Sequence, residues 1–320
     1  MTAATKPIPT GPTIDPQTYL GASQVGAIAG LNKYATALDV WADIQGKRTV
    51  EPTTRMMIGT VKERPILEGV YAPRHGVELE YPGTLVNPSC SWQGATPDAI
   101  ESGNIIVEFK SLGRGSILDW GDPLEGADGI PAATLAQVHW QAHVAGHALH
   151  RDFEMAHVVT EYGNELLRYV VPIDTDFTMA LCKIAERFWT DHIIQDRMPL
   201  VEEATANARE ILESIYPKVL YPHLMAIPEV VKKLADTFAR NREEEKGAKA
   251  VKELMGNKLR QLIANNSGFE GDGYKVTWTE QQGRVNWRGV ATELNPPEET
   301  IERHRSKPSR VLRVTVPNND

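Results

Sequence analysis

The chain has 320 residues, of which 41% are hydrophobic and 24% are charged, and it carries a net charge of −8. This composition is typical of a globular protein with one large domain or two smaller ones. No apolar run approaches the roughly 18 residues that cross a bilayer, and two cysteines are too few for a four-cysteine iron–sulfur cluster. The lack of a disulfide framework and of an apolar signal segment predicts a reducing cytoplasm.

The first part of the chain predicts a leader followed by helices. Residues 1–17 are rich in Pro and Thr, and we interpret them as a flexible leader. Two short helices follow, and residues 56–76 predict a longer helix that ends at Gly76. The apolar positions of this longer helix are Val61, Leu67, Val70 and Tyr71.

Residues 77–200 alternate between strand and helix signals. Strands are predicted at 77–81, 83–87, 91–100, 105–111, 155–162 and 166–173, and helices at 134–149 and 176–193. The intervening segment, residues 111–131, contains five glycines and two prolines, and long loops of this kind are often functional. The order of elements favours an α/β domain over residues 18–200, with a mixed sheet flanked by helices.

Residues 201–320 predict a C-terminal extension made of helices and a β-hairpin. A charged helical segment at 228–266 is expected to be interrupted near Gly247. A hairpin is predicted at 274–287 and a final strand at 309–316. We therefore place the domain boundary near residue 200.

Asp98, Glu108 and Lys110 surround an apolar strand segment, residues 105–107. The period of two puts Glu108 and Lys110 on one strand face, and Asp98 can return beside them on the neighbouring strand. Carboxylate oxygens suit hard divalent cations such as Mg²⁺, and a nearby lysine can act on water or stabilise charge on phosphorus. The pattern is what phosphodiester hydrolysis requires. An exposed strand with a Glu–Lys pair and a turn aspartate explains the same spacing about equally well.

The same residues resemble a known nuclease pattern. Pro97 and Asp98, then nine residues, then Glu108-x-Lys110 resemble the PD-(D/E)xK nuclease core. Three further segments, at residues 21–41, 59–63 and 136–138, follow in the order found in YqaJ-type viral recombinases, relatives of phage lambda exonuclease. The resemblance covers about residues 20–195 and implies a restriction-endonuclease-like core.

The resemblance also implies a metal site on this strand. Its ligands would be the side chains of Asp98, Glu108 and Glu63 and the backbone carbonyl of Phe109. Lys110 would act on the attacking water. Two Mg²⁺ ions are implied, with Mn²⁺ as a substitute. An ordinary solvated helix position is the alternative reading of Glu63.

Further residues would contact DNA. Gln137 matches the family's glutamine beside the scissile phosphate and is counted as catalytic, although a polar residue near a helix N-terminus is an alternative. Ser23 matches a serine that contacts DNA phosphate, or it is a helix N-cap. Arg114, in the glycine-rich loop, is a further candidate. A basic run could grip phosphates or form the solvated face of an edge strand; its members are Arg303, Arg305, Lys307, Arg310 and Arg313.

The implied activity is a metal-dependent 5′-to-3′ exonuclease acting on the ends of linear double-stranded DNA. It would leave 3′ single strands for a single-strand annealing protein of the RecT or Red beta type, in the cytoplasm of a bacterium or phage-infected host. A homo-oligomer, with a trimeric ring as its expected form, and no membrane partner are implied. Two rivals are an end-processing or endonucleolytic enzyme on the same core (Cas4-like or RecB-like) and a non-catalytic DNA-end-binding recombination scaffold.

Two other groups allow alternative roles. His139, His143 and His147 recur at four-residue spacing and could bind zinc from one helix face, although no acid or cysteine lies at ligand spacing. Trp120 and Trp140 could stack on bases, or they could be buried packing residues.

Overall fold

The structure is a computed structural model that describes residues 16–48, 52–163, 165–201, 206–216, 228–263, 268–271, 274–277, 294 and 296–304. The chain divides into two compact units, Met1–Tyr216 and Pro217–Asp320. The predicted limits of the leader, the nuclease domain and the extension stay predictions. Among the described helices, none combines the length and the apolar character that a membrane span requires.

The first unit contains seven of the described α-helices and seven of the described strands. The helices are α1 (Ala22–Ile28), α2 (Ala37–Ile44), α3 (Thr54–Ile66), α4 (Ala72–His75), α5 (Ala132–Leu149), α6 (Thr175–Phe188) and α7 (Ala206–Ile215). The strands are β1 (Leu79–Glu80), β2 (Leu85–Asn87), β3 (Cys90–Ala95), β4 (Ala99–Glu101), β5 (Ile105–Ser111), β6 (Met155–Tyr162) and β7 (Glu165–Pro172).

Five strands form one mixed sheet in the order β1-β4-β5-β6-β7. β5 and β6 run parallel, and the other neighbours are antiparallel. Parallel neighbours need a long crossover, and here the glycine-rich loop and α5 supply it. This arrangement, with helices on both faces of the sheet, confirms the predicted α/β core.

The predicted single strand at 91–100 is wrong, because two strands stand in its place. β3 pairs with β2 in a separate two-stranded ribbon, whereas β4 enters the main sheet. Pro97 lies between them and has no N–H to donate to a ladder, so the strand breaks there. Asp98, the next residue, therefore stands at the start of β4.

One face of the sheet is covered by α3 and its continuation. After Ile66 the helix passes through one turn of π-helix, Leu67–Tyr71, before α4 begins. Pro65 precedes this turn and cannot donate an intrahelical hydrogen bond. Leu67 and Tyr71 are buried against the sheet.

Two apolar positions of this helix, Val61 and Val70, face away from the core: their side chains are 73% and 48% exposed. α3 has no buried residue; its last residue, Ile66, is partly buried against the apolar core, and the fully buried positions begin at Leu67. The widened turn then presents Tyr71 to the sheet and leaves Val70 outside it.

The other face of the sheet is covered by α5, which is buried on two sides. Its residues Val138 and Ala142 pack against Ile106 of β5, in the interior of the sheet. Residues on its opposite side, among them Trp140, pack in a second cluster with α1, α2 and α6. α1 approaches α5 so closely that a Cβ atom on Gly26 would lie 2.9 Å from the Cα of Ala133. α5 is thereby fixed in position.

The second unit contains a long helix, a hairpin and a short helix. These are α8 (Glu229–Ile263), β8 (Gly268–Gly271), β9 (Tyr274–Thr277) and α9 (Glu298–Arg303). The predicted interruption near Gly247 is wrong: α8 runs through it, because an exposed helix of good helix formers tolerates the roughly 1 kcal/mol cost of one glycine.

The predicted hairpin at 274–287 is also placed differently. Its first residues, β9, pair with the preceding strand β8. The remaining residues of that hairpin and the predicted strand at 309–316 lie outside the described residues.

Candidate active site

Glu108 lies at the centre of a hydrogen-bonded group between β5 and α5. The side chain is 3% exposed. Its Oε1 accepts from Lys110 Nζ at 2.6 Å and from Gln137 Nε2 at 2.7 Å, and its Oε2 accepts from Gln141 Nε2 at 2.7 Å. Gln137 Oε1 in turn accepts from Lys110 Nζ at 3.0 Å. Both oxygens of this carboxylate are therefore held by donors.

Asp98 and Glu63 add two more carboxyl groups. Asp98 Oδ2 accepts from the backbone N–H of Phe109 at 2.6 Å, which ties the start of β4 to β5. Glu63, on α3, lies close enough to Asp98 for the two carboxyl groups to interact. Burial raises the pKa of Asp98 well above its ordinary value, and Glu108 and Glu63 raise it further. The pKa of Glu63 is likewise raised, by burial and then by Glu108. Ionisation of one of these carboxyl groups therefore makes ionisation of its neighbours less favourable.

Lys110 remains an ammonium in this environment. Burial lowers its pKa, but the neighbouring charge of Glu108, followed by those of Asp98 and Glu63, more than offsets burial, so that the pKa is raised overall. In this arrangement Lys110 is a cation that can orient a water molecule or an anionic oxygen.

A partly exposed ion pair joins α3 to the sheet beside the site. Lys62 Nζ lies 3.0 and 3.1 Å from the two oxygens of Glu161, at the end of β6. Ser111 Oγ donates to the same carboxylate at 2.9 Å. Because Lys62 adjoins Glu63, this pair helps to fix where the Glu63 carboxyl stands.

A cavity of about 590 Å³ opens in front of Lys110 and Gln137. Its polar lining includes Ser23 and Arg55, and Arg55 Nη2 donates to Ser116 Oγ at 2.7 Å. Across its rim, Lys33 of the α1–α2 loop pairs with Asp119 of the glycine-rich loop at 2.6 Å. The cavity therefore joins the hydrogen-bonded group to a partly basic surface.

Five residues predicted for catalysis or metal binding are brought together here. They are Glu63, Asp98, Glu108, Lys110 and Gln137. Phe109 joins them through its N–H bond to Asp98. Their assigned roles stay predictions.

The predicted DNA-contacting residues are more scattered. Ser23 is exposed and lines the cavity. The N-cap alternative for Ser23 is wrong, because Gly21 is the N-cap of α1 and its N–H donates to Gln24 Oε1 at 2.9 Å. Arg114 is exposed and is not among the residues that line the cavity.

The basic run lies in the second unit, and one of its residues is described. Arg303 ends α9 and lies 3.5 Å from Glu299 of the same helix. The other four residues of the run lie outside the described part of the chain: Arg305, Lys307, Arg310 and Arg313.

The alternative roles receive little support. His139 Nδ1 donates to the Leu135 carbonyl at 2.8 Å, and its Nε2 accepts from the backbone N–H of Asp174 at 3.0 Å. With both nitrogens engaged, His139 cannot also bind zinc. Trp140 is fully buried and donates to the Gly94 carbonyl at 3.1 Å, so it packs instead of stacking on bases. Trp120 lines the cavity.

Gln141 and Arg55 are site residues that the sequence prediction missed. A signal existed for Gln141, because it follows Gln137 by four residues on α5 and the two share a helix face. This spacing is not specific without the partner strand, and no spacing marks Arg55, which precedes Glu63 by eight residues on α3.

The donor atoms of the site suit a hard divalent cation that its substrate helps to bind. Among the described residues, no three His, Cys, Asp or Glu side chains form a group that could hold a metal ion. Mg²⁺, however, is usually held by one or two carboxylates, and water and phosphate oxygens complete its shell. Asp98, Glu63 and Glu108 offer only oxygen atoms, and a cation would relieve the repulsion that raises the pKa of Asp98 and Glu63. The residues present therefore fit such an ion.

Part of the chain is similar to known proteins. Residues 16–148 match the family model of the YqaJ-like viral recombinase domain, which confirms the predicted resemblance. No curated protein matches the sequence. Among solved structures, the chain is similar to an alkaline exonuclease from Laribacter hongkongensis, with 15% identity over 56% of this chain and 90% of that chain and a TM-score of 0.46. A structure of the same exonuclease in complex with dAMP has 14% identity over 56% of this chain and 90% of that chain, with a TM-score of 0.45.

Proposed function

From the YqaJ-like viral recombinase domain at residues 16–148, we infer that the protein is a metal-dependent exonuclease acting on DNA. We propose that it degrades linear double-stranded DNA from the 5′ end and leaves a 3′ single strand for an annealing protein. The observation that carries this proposal is the convergence of three carboxyl groups, one lysine and one glutamine beside a cavity.

The residues divide the chemistry among them. Asp98, Glu108 and Glu63 would hold Mg²⁺, with the carbonyl of Phe109 as a further ligand, and the ion would polarise the phosphate and favour ionisation of the attacking water. Lys110, kept charged by its acidic neighbours, would orient that water and stabilise negative charge on the phosphate oxygens. Gln137 reaches both Lys110 and the cavity, so it would position the scissile phosphate.

The cavity would receive the terminal nucleotides. Ser23 and Arg55 lie on its wall and would donate hydrogen bonds to DNA phosphates. Two ions, a ring-shaped homo-oligomer and an annealing partner remain parts of the proposal that rest on the family resemblance.

The test uses linear duplex DNA with 5′ phosphates, labelled at either strand end, beside a covalently closed circle of the same sequence. Protein and Mg²⁺, Mn²⁺ or EDTA are added, and Lys110→Ala serves as the catalytic variant. Lys246→Ala, on the exposed surface of α8, is the matched control. We expect release of the 5′ label as mononucleotide, an intact circle, no reaction with EDTA, and loss of at least about 100-fold in rate for Lys110→Ala only.

Each other result points to a different protein. Cutting of the circle would move the assignment to an endonuclease, and release of the 3′ label first would reverse the polarity. End binding without cleavage by the wild-type protein would favour a recombination scaffold. Cleavage that persists in EDTA would contradict the metal requirement.

A further inference from the structure

Gln141 is a buried amide that stands behind the candidate site. It follows Gln137 by four residues on α5, its side chain is 0% exposed, and it is not among the residues that line the cavity. Its Nε2 donates to Glu108 Oε2 at 2.7 Å. Its Oε1 is buried and has no hydrogen-bond partner in the described part of the chain. A buried polar atom without a partner is costly, so an apolar residue would pack here more favourably.

The orientation of this amide follows from the charge of Glu108. An ionised carboxylate only accepts hydrogen bonds, so an amide oxygen turned toward it would bring two acceptors together. Gln141 therefore turns Nε2 to Glu108, and Oε1 is the atom left without a partner. Gln141 Oε1 is therefore unpaired because Nε2 donates to the Glu108 carboxylate.

Gln137 and Gln141 hold Glu108 from its two sides. Gln137 Nε2 donates to Oε1, and Gln141 Nε2 donates to Oε2, each at 2.7 Å. Gln137 also contacts Lys110 and lines the cavity, so an incoming ligand can reach it. Gln141 is out of reach of any ligand in the cavity and contacts the site through Glu108.

We propose that Gln141 is a positioning residue, which fixes the plane of the Glu108 carboxylate so that Glu108 is ready to bind a divalent cation. The inference rests on the proposed function. It assigns separate tasks to the two glutamines: the outer one meets the substrate, and the inner one holds the metal ligand. Partners of metal ligands commonly change metal affinity or activity by about 10–100-fold when they are removed.

A thermal-unfolding cycle tests the hydrogen bond without reference to activity. Gln141→Met keeps the volume and removes the donor; it is made in the wild-type protein and in Glu108→Leu, with Glu108→Met as a second background if the first does not fold. We expect Gln141→Met to lower Tm by on the order of 3 °C more in the wild-type protein than in the Glu108 variant. Equal changes in the two backgrounds would overturn the inference.

Metal binding and kinetics test the positioning role. Mn²⁺ is titrated into DNA-free protein, and kcat and KM are measured on linear duplex DNA. For Gln141→Met we expect the Kd for Mn²⁺ to rise and kcat to fall, each by at least about tenfold. The KM for DNA should stay unchanged. Wild-type values for both Kd and kcat would overturn the role. Gln141→Glu, which sets a second carboxylate against Glu108, should be at least as impaired in kcat.

The matched control is Gln93→Met. Gln93 is also a buried glutamine, but its Oε1 accepts from Asn87 Nδ2 at 2.7 Å and contacts His143, away from Glu108. We expect wild-type Kd and kcat for this variant. If it loses as much kcat as Gln141→Met, loss of any buried amide explains the effect and the inference fails. If the wild-type protein cleaves no DNA, the proposed function fails, and the unfolding cycle alone decides whether Gln141 holds Glu108.

Discussion

At the scale of single residues, the candidate site places like charges together at a cost to stability. Glu63 and Asp98 both have pKa values raised by burial and by the nearby charge of Glu108. Groups of this kind cluster at functional sites, because a site that is ready for a cation is strained while it is without one.

Glu63→Gln is therefore expected to raise the free energy of unfolding by at most about 1 kcal/mol, since it removes a negative charge from a half-buried position that solvent partly screens. The same change should lower the DNA-cleavage rate by at least about tenfold. Urea unfolding at pH 7 and the end-labelled DNA assay measure the two effects. Glu68→Gln, which alters an exposed carboxylate paired with Arg64, should change stability by less than about 0.5 kcal/mol. A lower free energy of unfolding for Glu63→Gln would contradict the interpretation that the charge of Glu63 destabilises the folded protein.

His143 makes the stability of the folded protein depend on pH. Burial, followed by the nearby charge of His147, lowers its pKa from 6.5 to about 4. Between these values the unfolded chain binds a proton that the folded protein does not, so the free energy of unfolding falls as the pH is lowered from 6.5 toward 4. The fall in the free energy of unfolding should amount to about 1–3 kcal/mol. Solvent screening at this partly exposed side chain keeps the value below that of a fully buried histidine.

Chemical unfolding of the wild-type protein and of His143→Gln, at pH 7 and pH 5, measures this term. The difference between the two proteins isolates it from the raised carboxyl groups, whose contribution has the opposite sign. His147→Gln removes the smaller cause alone and should reduce the slope less. Parallel pH profiles for wild type and His143→Gln would contradict the assignment.

The site is predictable from sequence where its residues are close along the chain. Asp98, Glu108 and Lys110 lie on two strands joined by a tight turn, so the period of two fixes their relation. The roles of Gln141 and Arg55 in the site could not be predicted, because they depend on which helix face meets β5. That choice is made by packing between distant segments, and no local pattern records it.

At the scale of elements, close contact between α1 and α5 aligns two walls of the cavity. Gly26→Ala would bring a methyl group to 2.9 Å from the backbone of Ala133, so the helices must separate. We expect a loss of about 1–3 kcal/mol in the free energy of unfolding, measured by urea denaturation. Gly59→Ala, in α3, meets nothing within 4 Å and should stabilise the helix by about 0.5–1 kcal/mol. Equal effects of the two substitutions would contradict this reading of the contact.

Elements with strong periodicity are predictable, and their junctions are not. α5, β6 and β7 form where apolar spacing indicates them. The break at Pro97 changes the partner of β3, and the apolar residues Val61 and Val70 are exposed, because both features depend on where an element leaves the core. Even a glycine signal misleads at Gly247, where no packed neighbour enforces a break.

At the scale of the whole molecule, the buried apolar clusters lie in the first unit, Met1–Tyr216. α7 belongs to it: Ile211 is 1% exposed, Asn207 donates to Asp39 at 2.9 Å, and Ser214 donates to the Lys47 carbonyl at 2.6 Å. The first unit should fold by itself.

We expect a chain of residues 1–216 to unfold in one cooperative transition with a free energy of at least about 5 kcal/mol. A chain of residues 1–200, which ends at the predicted boundary and lacks α7, should be less stable by about 2–4 kcal/mol because the site of Ile211 is opened. Urea denaturation followed by circular dichroism compares them. Equal stability of the two chains would show that α7 is dispensable.

Because of the π-helical turn at Leu67–Tyr71, the geometry of the site depends on the number of residues in this helix. Eight residues of plain α-helix would leave Glu63 and Tyr71 about 80° apart around the helix axis. The wider turn holds an extra residue and takes up most of this offset, so both side chains face the sheet. Removing one residue from this turn would rotate Glu63 out of the group while leaving every functional residue in the sequence. Two chains with identical motifs and helices one residue different in length would then differ in activity.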